Sequence, residues 1–137
     1  MKMFVLISVN LIYLTLNFFV YEFNDKMNLR ASYNKTLARP SFKDKSNAQI
    51  YDPISDRTTI GNLDLQQTSI DNYDLRWEYY FGAAEMISGS FFYKNFDGHI
   101  ERVAFQAAPE QLTFKNAGTS VVYGAELEFR KNIASGF

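Results

Sequence analysis

The chain has 137 residues, a formal net charge of −1 and no cysteine. Its length limits it to one domain with a modest core, its charge gives no ground for a nucleic-acid or acidic-surface partner, and it has no thiols for a disulfide framework or thiolate metal site. Aromatic residues make up 17%, with nine Tyr and thirteen Phe, which is high for a soluble domain and suits rings placed at membrane interfaces.

Met1 to Val20 carries Lys2 and is then mostly apolar. It reads either as signal-like or helical, or as strand. Ser8, Asn10, Tyr13, Thr15 and Asn17 interrupt the run, and Val20-Tyr21-Glu22-Phe23 is a poor processing site. Two Asn near the middle weaken a membrane-spanning helix. High β-branched and aromatic content favours strand. Residues 1–23 are therefore set apart as an N-terminal apolar segment, strand or signal-like. Residues 24–137 form the body.

Asn24-Asp25-Lys26 predicts a tight turn. Met27 to Lys35 then alternates apolar and polar side chains, the period of a strand. From Thr36 to Thr68 the rhythm stops. Pro40, Pro53, Gly61 and many Lys, Asp, Ser and Asn residues read as one long loop. Alternation returns from Ile70 to Phe81, and Gly82-Ala83-Ala84 predicts a short turn. Next, Ile87, Gly89, Phe91 and Tyr93 point one way, with Ser88, Ser90 and Lys94 opposite. A second long connection is expected from about Asp97 to Gly118, and a last strand from Ser120 to Lys131.

Each ribbon thus has one apolar and one charged side. Leu29, Ala31, Tyr33, Tyr73, Leu75, Trp77, Tyr79, Ile87, Phe91, Tyr93, Tyr123, Leu127 and Phe129 are predicted to face lipid. Arg30, Asp74, Arg76, Glu78, Glu126, Glu128 and Arg130 are predicted to face a hydrated lumen. A wall wetted by hydrocarbon outside and water inside is what a transmembrane β-barrel requires. Connections that alternate short and long match bacterial outer-membrane barrels, whose periplasmic turns are short and extracellular loops longer. The strands are long enough, since about 9–11 tilted residues cross a bilayer. The expected fold is all-β, an antiparallel meander of about five or six strands forming a partial segment of such a barrel.

Four ordered landmarks give this pattern a family likeness. Asn28-Leu29-Arg30-Ala31-Ser32-Tyr33-Asn34-Lys35-Thr36-Leu37-Ala38-Arg39-Pro40-Ser41-Phe42 resembles a strand-to-loop signature of TonB-dependent receptors, particularly those of Bacteroidetes-type bacteria. Ile70 to Glu78 looks like the next landmark. Phe92-Tyr93-Lys94-Asn95-Phe96 with Ile100-Glu101 follows, and Asn116-Ala117-Gly118 with Tyr123 to Lys131 completes the set. The likeness runs from about Val9 to Ile133. It implies a barrel of about 22 strands in the cell outer membrane, importing siderophores, vitamins or glycans. Outer-membrane lipid is then a partner. In the full-length family, TonB and a small nutrient ligand are partners too. No plug domain or TonB box is seen in the chain, and Leu14 to Phe23 looks like an insertion. The implied reading is a receptor fragment, not transport-competent alone. No cofactor and no enzymatic activity are expected.

Other constellations carry less. Asp97, His99 and Glu101 share a strand face and have metal-ligand chemistry, but the bland alternative, polar residues at a loop start, is stronger. Glu126 and Glu128 lie at a spacing near that of a glycosidase pair, yet nothing makes their environments unequal. A hydrated face with lateral ion pairs explains them with Arg130. Arg39-Pro40-Ser41-Phe42 reads as a rigid strand exit with Phe42 packing nearby, or as a ligand contact at the outer mouth. Tyr79, Tyr80 and Phe81 read as a periplasmic aromatic belt. Phe137 is aromatic, but Asn132 to Gly136 lacks the alternation an assembly signal needs. The main alternative to a receptor fragment is a small stand-alone β-barrel or sandwich binding an apolar ligand. A barrel of that kind needs about eight strands to close. A hydrolase lacks any nucleophile–base pattern around the single histidine.

Overall fold

A computed structural model describes residues 4–11, 14–82 and 84–132. The described chain is all-β, with ten strands: β1 (Phe4–Leu11), β2 (Leu14–Asn24), β3 (Met27–Ala38), β4 (Gln49–Asp52), β5 (Arg57–Ile60), β6 (Thr68–Gly82), β7 (Glu85–Asp97), β8 (Ile100–Phe105), β9 (Ala108–Asn116) and β10 (Thr119–Arg130). None of its described residues forms a helix long and apolar enough to cross a membrane. Six strands form one sheet in the order β1-β2-β3-β6-β7-β10, and β4-β5-β9-β8 form a second.

The apolar N-terminal segment forms two strands within the described residues. β1 and β2 pair antiparallel from Phe4↔Tyr21 to Leu11↔Leu14. β2 and β3 pair from Thr15↔Lys35 to Asn24↔Met27, with a bulge at Phe23. The turn between them forms where Asn24-Asp25-Lys26 predicts it. The Lys26 N–H donates to Asn24 Oδ1 at 2.9 Å, an Asx-type closure that spares the backbone an unpaired donor. Just beyond β6, Ala84 takes a left-handed φ of 66°. The reading of Phe137 lies outside the described residues, as does the structure of residues 1–3 and 12–13.

The chain divides into two compact units. One holds residues up to Thr36, Asp71–Asn95 and the chain from Val121. The other holds Leu37–Ile70 and Phe96–Ser120. This second unit corrects the sequence reading. The two stretches expected to be long loops, Thr36–Thr68 and Asp97–Gly118, contain β4, β5, β8 and β9. β5 pairs with β9 in parallel, through Thr58↔Gln111 to Ile60↔Thr113. The strands escaped notice because β4 and β5 are four residues each, too short to show a period. The pairing of β5 with β9 also joins residues far apart in sequence.

Close packing in the second unit depends on backbone and amide contacts. The Asn116 side-chain amide acts as a surrogate strand. Its Oδ1 accepts from the Gln66 N–H at 2.8 Å, and its Nδ2 donates to the Gln66 carbonyl at 3.0 Å and the Gly98 carbonyl at 2.7 Å. Asn62 Nδ2 donates to the Phe114 carbonyl at 2.9 Å, and Leu65 between these two clips is buried. The Ala117 N–H donates to the His99 carbonyl at 2.7 Å, and the Gly98 N–H to the Gly118 carbonyl at 3.3 Å. The Asn116-Ala117-Gly118 landmark is thus a hydrogen-bonded junction. Asn116→Leu removes three side-chain bonds and should cost this unit about 2 kcal/mol. Faster amide exchange at Gln66, with exchange in β6 and β7 unchanged, is the readout. Unchanged exchange at Gln66 contradicts the assignment.

Candidate functional site

The first unit has an inside-out distribution of side chains. Its buried residues among those described are Asn72, Glu78, Met86 and Ser88, three of the four polar. Its large apolar side chains are exposed: Tyr73, Leu75, Trp77, Phe81, Phe91, Tyr123, Leu127 and Phe129. Strand alternation sorts the two sets onto opposite faces.

The polar face is built around Arg76, at the middle of β6. Its Nε pairs with Glu78 Oε1 at 2.8 Å, its Nη1 donates to Ser90 Oγ on β7 at 3.0 Å, and its Nη2 pairs with Glu128 Oε2 on β10 at 2.9 Å. Glu78 is 5% exposed and also receives Arg30 Nε from β3 at 3.1 Å and the Tyr80 hydroxyl at 3.2 Å. Glu128 pairs with Arg130 at 2.6 Å and accepts from Ser88 Oγ at 3.4 Å. One guanidinium therefore ties together three adjacent strands, β6, β7 and β10, its planar fork serving two carboxylates at once, and Glu78 extends the network to Arg30 on β3. Arg30, Arg76, Glu78, Glu128 and Arg130 share this network. Asp74 lies beside it, accepting from Ser32 Oγ at 3.4 Å. Glu126 lines a groove on the same face with Asp74, Arg76, Ser90, Phe92 and Lys94.

The opposite face is aromatic. Tyr33, Tyr73 and Tyr93 form a row across β3, β6 and β7, with ring centroids 4.9 and 6.0 Å apart. Trp77, Tyr79 and Phe81 form a second group along β6, at 6.4 and 5.1 Å. Leu29 and Ala31 pair in register with Tyr21 and Phe19, whose side chains take the same side. Leu127 reaches Gly89 across β7 and β10, placing it among the odd-numbered residues Ile87 and Phe91. Tyr123 and Phe129 follow by alternation on β10.

Two side chains, Tyr80 and Phe42, depart from expectation. Tyr80, grouped by composition with Tyr79 and Phe81, lies on the polar face with its hydroxyl on Glu78. Phe92 also lies there, its ring so close to Gly124 that an added Cβ would meet Cζ at 2.5 Å. Phe42 does not pack near Pro40, being 92% exposed. The period of two assigns Tyr80 and Phe92 correctly; residue type alone misleads.

His99 is held by its neighbours. Nδ1 is 3.2 Å from the Gly118 carbonyl and Nε2 is 2.6 Å from Glu101 Oε1. Among the described residues, three or more His, Cys, Asp or Glu side chains gather nowhere at metal-binding distance. In the β4–β5 turn, the Ser55 hydroxyl and the Ile54 N–H both donate to Asp52, holding its carboxyl below the usual carboxylate value. Acceptance by Asp56 raises the Tyr51 hydroxyl above its ordinary value. These bonds shape a turn that presents Ile54 at 96% exposure.

Residues 8–136 match a family model described as TonB dependent receptor-like, beta-barrel. The structure resembles the siderophore receptor PirA from Pseudomonas aeruginosa, with a TM-score of 0.73 and 16% identity, over 83% of this chain and 24% of that one. It also resembles a double mutant of the Serratia marcescens hemophore receptor HasR, solved in complex with its hemophore HasA and heme. There the TM-score is 0.71 and the identity 13%, over 83% of this chain and 19% of that one. The chain thus matches about a quarter or less of each receptor's length. No curated protein sequence matches it.

Proposed function

Since the chain belongs to the TonB-dependent receptor-like β-barrel family, we propose that it forms part of the wall of an outer-membrane nutrient receptor. The inside-out burial carries this reading: Glu78 and Ser88 are covered while Trp77, Tyr123 and Phe129 stand exposed. A soluble sandwich would bury those rings against a second apolar face. In a barrel wall the exposed rings meet lipid and the Arg76 network meets a hydrated bore.

The six-stranded sheet has edges at β1 and β10. Unpaired backbone groups in hydrocarbon cost several kcal/mol each, so both edges need further strands beside them. Alone, the sheet does not enclose a bore, and transport belongs to a longer assembled wall. The cargo class proposed is that of the family, scarce nutrients such as siderophores, vitamins or glycans. TonB is the proposed coupling partner of the assembled receptor, and a Bacteroidetes-type source fits the sequence landmarks. The Leu37–Ile70 and Phe96–Ser120 unit, built from the long connections, is assigned to the extracellular side.

The chain has no cysteine, so single labels report cleanly. Ile54→Cys, in cells displaying the chain in the outer membrane, should react with a membrane-impermeant maleimide without lysis. Labelling that appears only after lysis contradicts the sidedness.

A further inference from the structure

His99 lies between β7 and β8, against the turn that leads from β9 to β10. Backbone and side chain both join the two sides. The Ala117 N–H donates to the His99 carbonyl at 2.7 Å, and the Gly98 N–H to the Gly118 carbonyl at 3.3 Å. The imidazole adds to this pairing, its Nδ1 lying 3.2 Å from the same Gly118 carbonyl oxygen. Its other nitrogen, Nε2, lies 2.6 Å from Glu101 Oε1.

A carbonyl oxygen and an ionised carboxylate only accept hydrogen bonds, and a neutral imidazole has one N–H to give. Both ring contacts are therefore complete only in the imidazolium. A neutral ring serves the stronger acceptor, the Glu101 carboxylate, because a hydrogen bond to an ionised group is roughly twice as strong as one between neutral groups. The Nδ1 lone pair then faces the Gly118 carbonyl oxygen, and attraction across the junction turns to repulsion. The other charged side chains beside these contacts are Asp97, at the end of β7, and Lys115 on β9, the register partner of Glu101. Asn116–Gly118 and Gln66–Thr68, which hold the Gly98 carbonyl through Asn116 and Thr68, carry no charge. Of the residue types present, only histidine ordinarily titrates between about pH 5 and 8.

We infer that His99 is a proton-operated latch: protonation of its ring ties Gly118 to the start of β8, and loss of that proton releases it. The latch lies within the Leu37–Ile70 and Phe96–Ser120 unit. With this unit on the extracellular side, as proposed above, acidity in the medium tightens the junction. Only that last step rests on the proposed sidedness, which labelling at Ile54→Cys tests separately. The His99 side chain is 26% exposed and that of Glu101 53%, so solvent screens the pair and the latch is weak.

Amide exchange of the full chain in lipid tests it, read as protection factors so that the intrinsic effect of pH on exchange cancels. Protection at Gly98 and Ala117 should be about threefold higher at the acid end of the histidine range than at the alkaline end. Nitrogen-15 spectra of the ring should show N–H on both nitrogens at the acid end and on Nε2 alone at the other. His99→Asn puts an amide donor near the position of Nδ1 at every pH. Glu101→Gln offers the neutral ring a donor, so that Nδ1 keeps its hydrogen. Both variants should therefore show the same protection at the two ends, and β7 protection equal to wild type verifies that they fold. A wild-type junction indifferent to pH, or a pH dependence that survives in either variant, overturns the latch.

Discussion

Gly61→Ala should destabilise the Leu37–Ile70 and Phe96–Ser120 unit by about 3 kcal/mol, the upper range for an overpacked site. An added Cβ would run into the Ser46 carbonyl oxygen and sit 2.9 Å from the Ser46 nitrogen and 3.0 Å from the Asp44 carbonyl. All three atoms are backbone, so no rotamer change relieves the clash. The bond from the Asn62 N–H to the Asp44 carbonyl, 2.8 Å long, lies one residue on and would be lost with the close approach. Hydrogen exchange of the full chain should show protection across residues 41–62 falling about a hundredfold. Peptides from β7 should be unaffected. Unaltered protection in 41–62 would mean that the loop and Gly61 do not approach as described.

Arg76→Met should have the largest effect in the other unit. It removes contacts to Glu78, Ser90 and Glu128 in one step. Glu78 is buried and would keep only Arg30 and the Tyr80 hydroxyl. Removing one partner of a fully buried ion pair costs about 3–5 kcal/mol. Arg76 is one-third exposed, so screening lowers the expected loss to about 2 kcal/mol. Arg76→Lys retains the charge but lacks the planar fork and should lose less. Urea titration of the lipid-reconstituted chain measures both. A midpoint unchanged in Arg76→Met would show that the network adds nothing to the sheet.

How much of this was legible in the sequence depended on the local signal. Strict alternation in Met27–Asn34, Tyr73–Tyr79 and Tyr123–Arg130 marked β3, β6 and β10, because each ribbon has one charged and one apolar side. The β1–β2 segment was ambiguous because Phe18 and Val20 are apolar while their register partners Ser32 and Arg30 are polar. A run apolar on both faces has no period to read. β4, β5, β8 and β9 were hidden among Pro, Asp and Lys, and their order depends on distant amide clips from Asn62 and Asn116. The Arg76 network was half visible. Its members on β6 and β10 alternate in plain view, whereas their joining into one network depends on strand order across β3, β6, β7 and β10.

Everything functional depends on which face of β6 meets hydrocarbon. Trp77 is the only tryptophan and lies on the aromatic face, 37% exposed, so the unmodified chain carries its own probe. In vesicles containing brominated phospholipid its fluorescence should be strongly quenched, and aqueous iodide should have little effect. Strong iodide quenching with no response to brominated lipid would place Trp77 in water and contradict the account.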